Sequence, residues 1–539
     1  MKRFVALIAA IVLVFAGESS GYFVGPPVNL EKLSGEADII FKATAVSSAV
    51  VQDDWFKPYT GFAARETRFT LISVIKGTPH ETPLRFRHYD LDPEAQNQGR
   101  SFNPQYYHFQ ENKAYIVFAK KTDDPAVYRQ LWANHTGIKD QGSFQCIDDK
   151  PVSSGKLKEI VWTELLALLQ SKDAGETIHA IQQLNQMSDH PGWYDSTQDF
   201  DRTDVLKAVG PLMIWENGEV ASAAITVIGS NNPYLMDDRA QYWLATVGSA
   251  EVLGIGKMDP QMKNLGGQLY RKELVSIADG KATVVTRALA IRALGLVRNT
   301  DLLEPLNRWL KDPEPVLRAS ATLLLADFPD DGAAKNLTAM ATDPAPEVRL
   351  CAANAIGFMQ RSELAGTLGA LLVDKDAKVR SAASMSLLSF SPKHEAIAKV
   401  FVTNLKNEEF SPLFLNALAG EKPEAYLEPL AQVVEQQSKP RNGRGGQIPA
   451  YTAFNILFKY LQSQPADAVR AGKFDRYLDA IEKGYVTGSS EPRDIYAFYL
   501  QRGMTERAKI YRAAATKGGR YNLDYFFNMV DQSPSTYTR

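Results

Sequence analysis

The feature that most constrains this chain is a pattern returning at a fixed interval: Asp312-Pro-Glu-Pro-Val-Leu-Arg318, Asp343-Pro-Ala-Pro-Glu-Val-Arg349 and Asp374-Lys-Asp-Ala-Lys-Val-Arg380, each 31 residues after the last. Behind each copy, four apolar positions recur in the same period: Leu317, Val348 and Val379; Ala321, Ala352 and Ala383; Leu325, Ile356 and Leu387; Phe328, Met359 and Phe390. Steps of four, four and three residues place them on one helix face. The preceding helices contribute Leu306, Leu337 and Leu368, and an upstream copy keeps register with Ala290 and Leu294. A unit of this length cannot bury its apolar face alone, so the units must stack, and the period predicts paired helices in an α-solenoid. The alanine column lets neighbouring helices approach closely, which makes these positions packing rather than chemistry.

The Asp and Arg that begin and end each motif invite an acid–base reading, but a structural role fits better. Asp ahead of a helix satisfies exposed amides, and Arg pairs with a carboxylate or a loop carbonyl, so the repeated pair is expected to tie each unit to the next.

On these residues, from about 280 to 392, the chain resembles HEAT repeats of the short, phycobilisome-lyase-like kind, with Asp-Pro, then Val-Arg, then Ala and a closing Leu-Gly. The likeness extends more loosely over 153–440. Within that range Leu157, Ile160, Val161, Leu165, Leu168 and Leu169 begin the helical spacing, and Glu219 to Gly229 matches Glu347 to Gly357. The resemblance implies a right-handed, HEAT/armadillo-like superhelix of helix pairs, usually a protein-binding scaffold. A reading as a phycobilin lyase follows the same likeness, but the N-terminus points to a different compartment.

That N-terminus has Lys2 and Arg3, then apolar residues from Phe4 to Ala16, then Gly17, Glu18, Ser19, Ser20 and Gly21. This is the pattern of a secretory signal peptide over 1–21, too short to span a bilayer. The expectation is an exported protein, periplasmic or extracellular, with no membrane span after cleavage. Its formal net charge of −2 excludes the basic balance of a nucleic-acid binder. Cys146 and Cys351, the only cysteines, fall in different segments and are expected to be free.

Residues 22–152 read as strands. Ala37 to Val46, Thr67 to Ile75 and Tyr115 to Ala119 are apolar or alternating and rich in β-branched and aromatic residues, with turn residues between them. A small β-barrel is expected. Its Ala37-Asp-Ile-Ile-Phe-Lys-Ala, the strand closing in Val74-Ile-Lys-Gly77, and Phe109 to Ala119 resemble netrin-like, tissue-inhibitor-of-metalloproteinase-like OB-fold modules. That family places a zinc-chelating cysteine at its mature N-terminus. No cysteine stands there in this chain, so protease inhibition does not carry over; what the resemblance leaves is a barrel able to bind a partner through its loops.

Several constellations are candidate sites. His80, His88 and His108 fit no local metal spacing. Phe102, Tyr106, Tyr107 and Phe109 serve either as a binding platform or as barrel core. Acidic residues at 189, 195, 199, 201 and 204 lack the glycine and terminal Glu of a calcium loop. Past a Gly- and Pro-rich linker over 436–446, the aromatic helices of 447–539 either cap the array or form a tetratricopeptide-like pair that receives a partner segment. No nucleophile elbow, phosphate loop or zinc-histidine pair is present in a supporting context. The sequence therefore assigns no catalytic, cofactor or metal residue and no cofactor. It predicts a mainly α protein, an α-solenoid preceded by a small OB-like barrel, acting as a non-enzymatic scaffold for a protein or peptide; the alternative is an envelope enzyme, or a regulator of one, with its site in the loops outside the repeats.

Overall fold

The structure is a computed structural model that describes residues 29–57, 59, 61–79, 83–92, 104–132, 142–152, 154–188, 199–229, 264–390, 395–405, 407, 409–418, 423–436, 448–484, 491–518 and 523–532. Residues 1–28, which include the stretch read as a signal peptide, His80, Phe102, most of the acidic loop, residues 230–263 and the linker glycines fall outside them. The chain divides into two compact units, with the boundary in the repeats between Asp327 and Phe328.

The first unit opens with α1 (Leu30–Glu36), then β1 (Ile39–Val50), β2 (Phe62–Lys76), β3 (Leu84–Leu91), β4 (Ala114–Lys121), β5 (Val127–Arg129) and β6 (Ser143–Cys146). Their pairing runs β1-β2-β3-β5-β4, and β4 returns to β1, so five strands close a ring; β6 adds to the outside of β4. The β3–β5 pair is parallel and its neighbours in the ring are antiparallel, the strand order of an OB-like barrel. Alternation builds the core. Phe41, Ala43 and Ala45 of β1 meet Phe69, Phe86, Tyr107, Phe109, Tyr115, Val117 and Tyr128 inside. Three register shifts along β1 and β2 bend the long hairpin into the closed ring. Gly77 ends β2 at φ +80, where a Cβ would stand 2.5 Å from the Asp38 carbonyl, so the turn after Val-Ile-Lys requires glycine.

Helices follow: α2 (Leu157–Leu168), α3 (Ala174–Gln186), α4 (Arg202–Val209), α5 (Gly218–Ile228), α6 (Leu265–Leu269), α7 (Arg271–Asp279), α8 (Val284–Ala293), α9 (Leu303–Trp309) and α10 (Pro315–Leu324). One row of them, α3, α5, α8 and α10, packs in sequence, each helix against the next. The helix of Glu219–Gly229 thus takes its place in this row beside the repeat helices α8 and α10.

The second unit contains α11 (Asp331–Met340), α12 (Pro346–Met359), α13 (Ala365–Leu371), α14 (Ala377–Ser389), α15 (Glu395–Thr403), α16 (Ser411–Leu418), α17 (Leu427–Gln436), α18 (Ile448–Ser463), α19 (Ala466–Arg470), α20 (Asp475–Gly484), α21 (Glu491–Gln501), α22 (Thr505–Gly518) and α23 (Leu523–Gln532). Here α12, α14, α16 and α18 pack in sequence, and α21, α22 and α23 contact one another at the end. The chain is thus mainly helical, with repeated helix pairs after an OB-like barrel. Among the described residues no helix is long and apolar enough to cross a membrane.

The repeated aspartate and arginine hold the pairs together. Asp312, Asp343 and Asp374 each accept the backbone N–H two residues on, at 2.9, 2.9 and 2.8 Å. This Asx turn sets the residue that starts the helix rather than capping the helix itself. In the first two copies Pro315 and Pro346 then take the first helical position, where no donor is needed. Arg318, Arg349 and Arg380 each donate to the carbonyl of the same aspartate, at 2.9, 2.8 and 3.0 Å. The same arginine column reaches forward to the following unit: Arg287 to Asp312, Arg349 to both oxygens of Asp374, and Arg380 to Glu409.

Candidate functional site

A polar cavity of the first unit lies where the barrel meets α3. The barrel side supplies His108, Gln110, Tyr115, Ser143 and Gln145; the helix side supplies Asp173, Gly175, Glu176 and His179; together they enclose about 230 Å³. Asp173 caps α3 by accepting the Glu176 N–H at 3.1 Å, which turns the Glu176 side chain back towards the barrel. There Lys113 donates to Glu176 Oε1 at 2.5 Å and Gln145 at 3.0 Å, while Ser171 donates to Oε2 at 2.5 Å. The hydrogen bond and charge of Glu176 raise the Lys113 pKa. At the rim the exposed His108 places Nδ1 3.3 Å from Asp90 Oδ1. Burial, the largest single effect, works to raise the Asp90 carboxyl, but the His108 contact, the neighbouring histidines and the Leu91 N–H together hold the group below its usual range.

Both oxygens of Glu176 are thus engaged by groups that bind barrel to helix. The arrangement suits holding a polar group, or holding the joint, better than moving protons.

A second, drier joint lies nearby. Lys42 projects from the outer side of β1 and is 1% exposed; its Nζ lies 2.8 Å from Glu164 on α2 and 3.6 Å from Asp148. Cys146 is buried beside this pair, and burial first, then the Glu164 charge, pushes its thiol up, so it is no nucleophile. Cys351 is likewise a buried free thiol.

The constellations weighed in the sequence resolve into structure. His88 is fully buried in the barrel core, its Nδ1 3.0 Å from the Tyr89 carbonyl and its Nε2 2.8 Å from Thr67 Oγ1. Burial pushes its pKa down to about 4, so the ring is neutral, donating from Nδ1 and accepting at Nε2. His108 sits at the cavity rim. Among the described residues no group of His, Cys, Asp and Glu is placed to hold a metal ion. Tyr107 and Phe109 are core, stacked 5.6 Å apart, and Tyr106 packs on the smaller cluster of Phe56, Tyr59, Phe62 and Tyr89. Tyr106, Tyr107 and Phe109 are thus barrel packing rather than an exposed platform, and Phe102 lies outside the described residues. Of the acidic loop, Asp201 caps α4 and Asp199 accepts the Leu30 N–H with both oxygens, at 3.1 and 2.9 Å, while burial raises its pKa to about 6. Tyr496, Phe498, Tyr499, Tyr511 and Phe527 of the terminal helices are buried too.

Lys113, Gln145 and Glu176 escaped sequence reasoning because they meet only after the barrel closes. Lys42 carried a readable signal: one charge inside an apolar strand.

A family comparison adds to this geometry. Residues 272–350 match the family model of HEAT repeats. Residues 272–350 are HEAT repeats. The matched span takes in α7 through α11 and the start of α12, and it includes the first two Asp–Arg motifs. No curated protein matches the chain. Among solved structures, the Escherichia coli protein YibA aligns at 16% identity over 57% of this chain and 99% of its own, with a TM-score of 0.33. Importin beta aligns at 13% identity over 70% of this chain and 51% of its own, with a TM-score of 0.37. A designed armadillo repeat protein aligns at 17% identity over 43% and 99%, with a TM-score of 0.27. The assignment of HEAT repeats rests on the family match and on the 31-residue register, which the helix pairs reproduce.

Proposed function

We propose that this chain is an exported, non-enzymatic scaffold that binds a protein or peptide through its HEAT repeats and its barrel. The observation that carries the reading is the run of HEAT repeats at 272–350, whose most regular residues are consumed by stacking. A stack held by its own register has edges and faces left over for a partner, and repeat proteins use such extended surfaces for binding. Export rests on the basic, apolar, small-residue order of residues 2–21.

The test is capture of a partner by the tagged, exported full-length chain, with the co-eluting protein identified and the binding repeated with purified components. A stoichiometric complex is expected; a chain that retains nothing in any growth condition counts against the scaffold. Sequencing the N-terminus of the secreted protein is expected to find it starting near Tyr22, and an intact Met1 contradicts export. The polar cavity of His108, Glu176 and His179 is the one observation favouring an envelope enzyme or enzyme regulator. His179→Ala separates the two, because a scaffold with this variant keeps its partner.

A further inference from the structure

Strands β2, β3 and β5 carry four arginines on the outer face of the barrel. Phe69, Phe86 and Tyr128 point into the core, so the adjacent Arg68, Arg85, Arg87 and Arg129 point out. Register sets Arg68 opposite Arg85 across β2 and β3, and Arg87 opposite Arg129 across β3 and β5. Like charges directly opposite destabilise a sheet, so the fold gains nothing from either pair. Three carboxylates offset part of the charge: Asp53 and Glu66 reach Arg87 at 2.8 and 2.9 Å, Asp124 reaches Arg85 at 2.8 Å, and Glu66 also lies 3.9 Å from Arg85. Among the described residues no carboxylate forms an ion pair with Arg68, which is exposed, or with Arg129. Arg129 instead lies 4.4 Å over the Trp55 ring, its Nε buried without an acceptor. Stacking holds that guanidinium in place without neutralising it.

We propose that this face docks an extended acidic segment of a partner protein, whose carboxylates are received by Arg68, Arg85 and Arg129. Every cation in the row is arginine, whose planar fork takes a carboxylate by two hydrogen bonds. Arg85 and Arg129 are diagonal neighbours across β3 and β5, roughly 7–8 Å apart, close to the roughly 6.6 Å between successive same-side side chains of an extended peptide. The favoured segment therefore carries Glu or Asp at alternate positions. The inference rests on the scaffold reading and adds to it the chemistry of the partner and the surface that reads it.

The test uses the full chain and a fluorescein-labelled peptide of alternating Glu and Thr, followed by anisotropy. Saturable binding is expected, weakened by salt and absent for the Lys-for-Glu peptide. Arg68→Glu should weaken it about tenfold or more. Because that change puts a carboxylate opposite Arg85, the thermal midpoint should hold or rise, which separates lost recognition from lost folding. The proposal is overturned if the peptide does not saturate, if Arg68→Glu binds it equally well, or if a single-stranded oligonucleotide or polyphosphate binds more tightly. A captured partner that Arg68→Glu protein still retains at full affinity defeats the arginine face and leaves the scaffold standing; a chain that captures no partner defeats the scaffold itself.

Discussion

His88 is a titratable ring with nowhere to put a charge, and its protonation gives the barrel a definite pH dependence. In an unfolded chain a histidine gains its proton near pH 6.5; in the fold burial holds it off until about 4. Above 6.5 both states are neutral and the barrel keeps its full stability. Between the two values the unfolded state binds the extra proton, so stability falls as pH falls, by roughly 3 kcal/mol across the window. Urea midpoints measured from pH 7 to pH 4 should show that decline, and His88→Phe, which keeps a ring but cannot titrate, should flatten it; an unchanged slope would sink the idea. Lys42 poses a different case, a buried amine beside a carboxylate partner. Lys42→Met leaves Glu164 without its main partner and should cost about 3 kcal/mol, with much of it recovered in Lys42→Met/Glu164→Leu. If the single variant unfolds at the same urea concentration as the parent, the ion pair does not hold barrel to helix.

Among the elements, close approach of repeat helices is set by small residues. A Cβ on Gly357 of α12 would lie 2.6 Å from Ser386 Oγ and 2.9 Å from its Cβ on α14. Alanine is the better helix former by about 1 kcal/mol, yet Gly357→Ala should lower stability by about 1–2 kcal/mol because the helices must part. Adding Ser386→Gly should restore part of it, and a Gly357→Ala chain as stable as the parent contradicts the packing. How the elements would form was legible where one period controls many residues. The 31-residue register placed the helix row correctly, and the Asp–Arg pairs proved structural as their spacing implied. The alternation of Ile39 to Ala45 placed the β1 core face. What stayed illegible depends on contacts between distant segments: the return of β4 to β1, the parallel β3–β5 pair, and the meeting of Lys113 and Gln145 with Glu176 have no local pattern. The inward turn of Tyr107 and Phe109 also needed the barrel, since an aromatic pair in a loop reads the same whether it faces in or out.

For the molecule as a whole, the described interior is spent on holding itself together: ladders of Asp and Arg between repeats, Lys42 and Glu176 between barrel and helices, aromatic packing in the barrel and in the terminal helices. What is left over for recognition is surface, the arginine face of the barrel included. The measurement that tests this most directly is hydrogen–deuterium exchange of the full chain with and without its captured partner. Protection is expected over β2, β3 and β5 and over exposed edges of the repeats, with the buried amides of α12 and α14 unchanged. Protection confined to the cavity of His108 and Glu176 on adding a small molecule, with no change from any protein partner, would contradict the scaffold.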